Sequence, residues 1–161
     1  ATANKNLSQY DKNTIPNAKN LRFGIVVSEW NENITKGLLN GAYTTLLKHG
    51  ALEENITVKF IPGTFELPLA AQTMFEKTKV DAVICLGSVI QGETKHFDFV
   101  CEGAALGIKD VALKYNKPTI FGVLTDNNEQ QAIDRSGGKH GNKGDEAAVT
   151  AIKMVDFQQK L

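Results

Sequence analysis

Four short apolar runs, residues 22–27, 56–61, 81–86 and 119–124, punctuate this chain. Each gives way to a stretch whose apolar positions recur every three or four residues, the alternation of strand with helix. The stretch after the first run carries Ile34, Leu38, Ala42 and Leu46 on one helical face. The second opens near Glu66 and tolerates Pro68 in its first turn. The third carries Phe97, Val100, Cys101, Ala104, Ile108, Val111, Ala112 and Tyr115, a stripe that assigns Phe97 to the core and sets His96 beside it. The last runs from Gly144 onward, with Asp145 and Glu146 on its N-terminal dipole. The alternation predicts an α/β fold, a four-stranded parallel sheet with helices on both faces in a three-layer α/β/α sandwich. Residues 1–20 are polar and aperiodic, which predicts a mobile arm, or a strap on a neighbouring surface, ahead of a single domain spanning 21–161.

Length and charge narrow the partners. A chain of 161 residues suits one domain with a proper core. Eighteen basic residues balance eighteen acidic ones, so no overall field favours nucleic acid or an anionic membrane, and any anion site must be local. No apolar run approaches the length of a bilayer span, and the opening Ala-Thr-Ala-Asn-Lys-Asn lacks the apolar core of an export signal; the expected location is cytoplasmic. Cys85 and Cys101 then read as reduced core thiols rather than a disulfide or metal pair, since neither has a second ligand at suitable spacing.

In an open α/β sheet the ligand crevice lies outside the carboxyl ends of the strands. The unusual residues gather there: Ser28-Glu29-Trp30 after the first strand, Pro62-Gly63-Thr64-Phe65-Glu66 after the second, Gly87-Ser88-Val89-Ile90-Gln91-Gly92-Glu93-Thr94-Lys95-His96 after the third, and Thr125-Asp126-Asn127-Asn128 after the fourth. Trp30, the sole tryptophan, suits a stacking platform for a planar ring, with a rim position at a subunit contact as the alternative. Glu66 serves equally as a dipole partner in a first turn or as a contact for a substrate hydroxyl. Gly92, Glu93 and Thr94 precede a helix, and their N–H groups with the Thr94 hydroxyl form a cradle for phosphate. His96 at that helix start is placed to move protons near neutrality, His49 before Gly50 reads as a helix C-terminal residue, and His140 stays open. The basic run from Arg135 through Lys139, His140 and Lys143 could supply countercharge, or be a solvated loop; it is neither a Walker loop nor a dinucleotide fingerprint.

These motifs, in this order, resemble the 6,7-dimethyl-8-ribityllumazine synthases from Arg22 to the C-terminus. The carriers include Trp30, Pro62-Gly63-Thr64-Phe65-Glu66-Leu67-Pro68, the stretch ending in His96-Phe97, Phe121-Gly122-Val123-Leu124-Thr125, and Glu129-Gln130-Gln131-Ala132-Ile133-Asp134-Arg135-Ser136-Gly137. The resemblance implies a flavodoxin-like fold and a condensation, without cofactor or metal, of 5-amino-6-(D-ribitylamino)uracil with 3,4-dihydroxy-2-butanone 4-phosphate, the penultimate step of riboflavin biosynthesis. By the same resemblance Trp30 stacks on the pyrimidine, and the backbone of Ser88, Val89 and Ile90 bonds its polar edge. Thr64, Phe65 and Glu66 hold the ring and ribityl chain, with Phe121 contributed by an adjacent subunit. Glu93, Thr94 and Arg135 bind the phosphate with Lys143 in support, and His96 shuttles protons. The sequence departs from the family at Trp30, where phenylalanine is common, at Gln91, where Arg or Lys is frequent, and at Glu93, where a small residue is usual; the last two imply a looser phosphate site. The family forms pentamers. The short loop from Arg135 to Gly144 is compatible with a sixty-subunit shell, inside which riboflavin synthase would be a partner. The rival readings are a flavin carrier on the same sheet, which needs neither His96 nor Arg135, and a shell protein whose site has decayed.

Overall fold

Side-chain alternation along the inner strands sets the layering. The computed structural model describes Ala3 and residues 5–161. Its main sheet has four parallel strands in the order β2-β1-β3-β4, with β1 Phe23–Ser28, β2 Ile56–Ile61, β3 Ala82–Ile90 and β4 Thr119–Asp126. On β1 and β3, Phe23, Ile25, Val27, Ala82, Ile84 and Leu86 enter one core with α1 (Glu32–Lys48) and α5 (Lys143–Gln159). Their neighbours Val26, Val83 and Cys85 enter a second core with α2 (Leu67–Lys77) and α3 (His96–Tyr115). Apolar residues at both parities bury both faces of the sheet, and the helices must divide between them. This is the three-layer arrangement that the pattern predicts, and it is flavodoxin-like, as the resemblance implies. Among the described residues no helix is long and apolar enough to cross a membrane.

The structure differs from the sequence expectations at three places. β3 continues past Leu86 to Ile90, because β4 goes on pairing with it as far as Ile90↔Asp126. Phe97 joins neither core; the buried stripe of α3 starts only at Ala104, more than two turns into the helix. The basic run is no solvated loop: after α4 (Glu129–Arg135) it forms an antiparallel pair, β5 (Ser136–Gly138) with β6 (Gly141–Asn142). Residues 5–21 are a strap fastened to their own domain, with Ala18 and Leu21 buried in the α1/α5 core.

Asn142 is the knot of that fastening. Its Oδ1 accepts from the Gly144 N–H at 2.8 Å, capping α5, while its Nδ2 donates to the Gly37 carbonyl of α1 at 2.9 Å. Its own N–H donates to Ser8 Oγ, which donates in turn to Asp145 Oδ2 at 2.6 Å. Further along the strap, the Ala18 N–H bonds the His49 carbonyl at the end of α1, and the ring of Tyr10 tilts against the His49 imidazole. His49 Nε2 is buried and finds no partner.

Two stability tests follow. Asn142→Ala removes the α5 cap and the tie from Asn142 Nδ2 to α1, so the denaturant midpoint should fall by the equivalent of about 1–2 kcal/mol. For His49, burial first and then the charges of Lys48 and Lys12 push the imidazole below its ordinary value of 6.5. The unfolded chain therefore takes up the proton before the folded one, and stability contributed by neutral His49 is lost as pH falls below 6.5. Thermal melts between pH 7.5 and 5 should show a smaller acid decline in His49→Gln than in wild type; parallel declines would remove His49 as the cause.

Candidate active site

The sheet opens at one end. β1 pairs with β3 only as far as Val27↔Leu86, while β3 and β4 stay paired for four more residues. The Gln91 N–H donates to the Asp126 carbonyl, so the odd-numbered residues of β3 aim their backbone groups at β4. In a parallel strand the intervening residues aim the other way, and Ser88 and Ile90 therefore face the side that β1 has left. The structure carries one direct witness. Asn31, in the turn after β1, donates its Nδ2 to the Ser88 carbonyl at 2.9 Å.

A cleft of about 570 Å³ fills this opening. Three strand ends supply its walls: Trp30 and Asn31 after β1, Gly63, Thr64, Phe65 and Glu66 after β2, and Ser88, Val89 and Ile90 at the end of β3, with His96, Phe99 and Val100 of α3 opposite. Eight residues singled out in the sequence meet here: Trp30, Thr64, Phe65, Glu66, Ser88, Val89, Ile90 and His96. Trp30 is 74% exposed and Phe65 59%, so neither is a core residue; both offer open ring faces at the cleft. The Glu66 carboxylate and the Trp30 indole both lie over the Cα of Gly63, where a Cβ would come within 2.9 Å of Glu66 Oε2. Phe65 reaches its place because α3 has Gly103 facing it; a Cβ there would lie 2.6 Å from the Phe65 ring.

The polar groups have a clear division. Ser88 Oγ is buried without a partner, and Thr64 is buried nearby, its hydroxyl packed against Gly87. The His96 N–H donates to Thr94 Oγ1 at 3.3 Å, which leaves that hydroxyl free to donate outward. Glu93 and Thr94 are exposed on the loop leading into α3, beside the cleft rather than in its wall. Among the described residues no lysine or arginine lines the cleft. A dianionic group held there meets no side-chain cation among the described residues other than His96.

The remaining candidates lie elsewhere on the subunit. Arg135 and Lys143 line a second, more polar cleft of about 840 Å³, bounded by the strap, the end of β4 and α5. Phe121, on β4, is half-buried against the α2/α3 core. Asn31, Phe99 and Val100 are site residues that motif reading missed. The signal for Asn31 was local: asparagine is one of the few side chains that tolerates φ > 0, and a turn straight out of a buried strand is where that conformation is needed.

Comparison with known proteins gives a consistent answer. A family profile described as 6,7-dimethyl-8-ribityllumazine synthase matches residues 20–159. A protein of that name from Flavobacterium psychrophilum is 61% identical over 160 residues, covering 99% of this chain and 85% of its own. Namesakes from Cytophaga hutchinsonii, at 61% over 155 residues, and Phocaeicola vulgatus, at 56% over 161, are covered to 97% and 96% of their lengths.

Asn31 offers a test of the local geometry. Its backbone is left-handed, at φ 57° and ψ 50°, which glycine adopts freely and alanine does not. Both Asn31→Gly and Asn31→Ala lose the bond to Ser88, but alanine also incurs the backbone strain. Chemical denaturation should place the alanine variant roughly 1 kcal/mol below the glycine variant, and equal stabilities would refute the strain.

Proposed function

The chain belongs to the 6,7-dimethyl-8-ribityllumazine synthase family of riboflavin biosynthesis, and on that premise we propose that it condenses 5-amino-6-(D-ribitylamino)uracil with 3,4-dihydroxy-2-butanone 4-phosphate, releasing phosphate and water. The observation that carries the proposal is the single cleft in which a stacking ring, an open strand edge and a histidine converge.

The pyrimidine lies against Trp30, an arrangement suited to a flat, polar-edged ring. Its edge meets the backbone groups of Ile90, which face the side that β1 has left. The ribityl hydroxyls meet Glu66 and the Thr64–Phe65 turn. The second substrate enters from the α3 side, its phosphate toward Glu93, Thr94 and the free N–H groups of the first turn. The amine then attacks the ketone, and the carbinolamine loses water to form an imine. Phosphate departs, and ring closure of the ribitylamino nitrogen on the second carbonyl expels a second water. Each step moves a proton, and His96 is the titratable side chain on the α3 wall positioned to move it. The rest of the rate comes from holding two substrates side by side.

The countercharge for phosphate comes, in this proposal, from Arg135 and Lys143 of an adjacent subunit, with Phe121 closing the ring pocket. Two features support a pentameric arrangement. The Trp30 cleft has no cation of its own among the described residues, whereas Arg135 and Lys143 sit in a different cleft. Phe99, Leu106 and Leu113 also form an exposed apolar stripe on α3, at seven-residue spacing. A sixty-subunit shell enclosing riboflavin synthase is the larger assembly that the short β5–β6 hairpin permits.

Product formation from the two purified substrates tests the chemistry. His96→Ala should slow turnover about a hundredfold, and Arg135→Ala should act mainly through the phosphate substrate's KM. Co-assembling the two variants tests the sharing: with halves of each site on different subunits, about a quarter of the sites in an equal mixture carry both intact residues and regain activity. No recovery in a mixed pentamer would return both residues to one subunit. Wild type that binds flavin but forms no product would favour the carrier.

A further inference from the structure

We propose that Asp126 is a resident counter-ion of Arg135 that limits how tightly the Arg135 site holds a phosphate group and so favours its release. The inference rests on the reading of Arg135 as a phosphate ligand. Asp126 is the last residue of β4, and its carbonyl accepts the Gln91 N–H at 2.9 Å, which fixes its backbone to the end of β3. Its carboxyl is only 8% exposed, with Oδ1 3.9 Å from Arg135 Nη1 and Oδ2 without any partner.

The geometry separates charge from placement. At 3.9 Å the two groups are an ion pair but not a hydrogen bond, so the carboxylate does not orient the guanidinium. Arg135 is held instead by its own helix, Nη1 donating to the Gln131 carbonyl at 3.0 Å. Burial raises the Asp126 carboxyl above the ordinary carboxylate value, and the opposing pull of Arg135 only partly offsets it. The pairing therefore does little to hold Asp126 in place. What it does is set a negative charge beside the one arginine of this cleft.

Lys143 in the same cleft is also countered, by Glu146 at 2.8 Å, but that pair is more exposed and can swing apart when an anion arrives. Asp126 cannot move away: it is buried at a strand end. An incoming phosphate thus meets a guanidinium whose field is already partly cancelled. A reaction that liberates inorganic phosphate benefits, because the product is not retained where the next phosphate-bearing substrate must bind.

The test is the affinity of the assembled protein for inorganic phosphate, measured by titration calorimetry and by competition against the phosphate substrate. Asp126→Asn keeps the shape and removes the charge, and should tighten phosphate about fivefold, the scale of a partly screened ion pair. Asp126→Ala should do the same, which guards against an effect peculiar to the amide. Unchanged or weaker binding in both variants, with Arg135→Ala abolishing it, would overturn the counter-ion and leave the phosphate site intact. Phosphate binding that survives Arg135→Ala would instead overturn the reading on which the proposal rests.

Discussion

The unequal lengths of the parallel strands are the constraint from which the site follows. β1 and β3 separate after Val27↔Leu86, while β3 and β4 remain joined to Ile90↔Asp126. A strand inside a sheet spends its backbone groups on both neighbours. A strand that outlives one neighbour has a free edge, and here that edge is bordered by the turns leaving β1 and β2. Trp30 and the Thr64–Glu66 turn are consequently adjacent without any special contact between them. Asn31 ties the opening at its root through Ser88, so the free edge begins at a defined residue.

Charge is distributed to match. The cleft at the free edge holds one carboxylate and one imidazole among ring and amide surfaces. The cationic groups gather beyond β4, and each of the two assigned to phosphate already has a carboxylate beside it. A subunit built this way carries two unlike clefts, one with open aromatic faces and one with cations that already have carboxylates beside them; in the proposed function they are the two halves of one shared site.

Much of this was legible in the residues because period and punctuation report burial directly. Phe23, Ile25 and Val27 against Val26 announce a strand covered on both faces, and the glycine and proline of Pro62-Gly63 announce the turn that delivers Phe65 and Glu66. Other features depend on what lies alongside. The extension of β3 to Ile90 is set by β4, which follows the whole of α3 in sequence, and no window around Ile90 contains that information. Phe97 shows the opposite case: its spacing is helical, but burial on α3 begins only at Ala104, and periodicity does not report where along a helix the packing starts. The β5–β6 pair escaped notice because Ser136-Gly137-Gly138 lacks every mark of a strand. It exists because Asn142 and the strap hold it.

That fastening bears on how the chain comes into being. Ser8 meets Asn142 and Asp145 across more than one hundred and thirty intervening residues, and Leu7 meets His140. On a ribosome the strap would therefore emerge long before anything exists for it to grip. β1 is in the same position, since its partner β3 comes later and its helical cover α5 comes last. Until α5 appears, that face of the nascent sheet has only α1 to cover it, which leaves apolar surface for chaperones to shield. The last helix is thus the step that closes the domain, and the first segment of the chain is among the last to find its place.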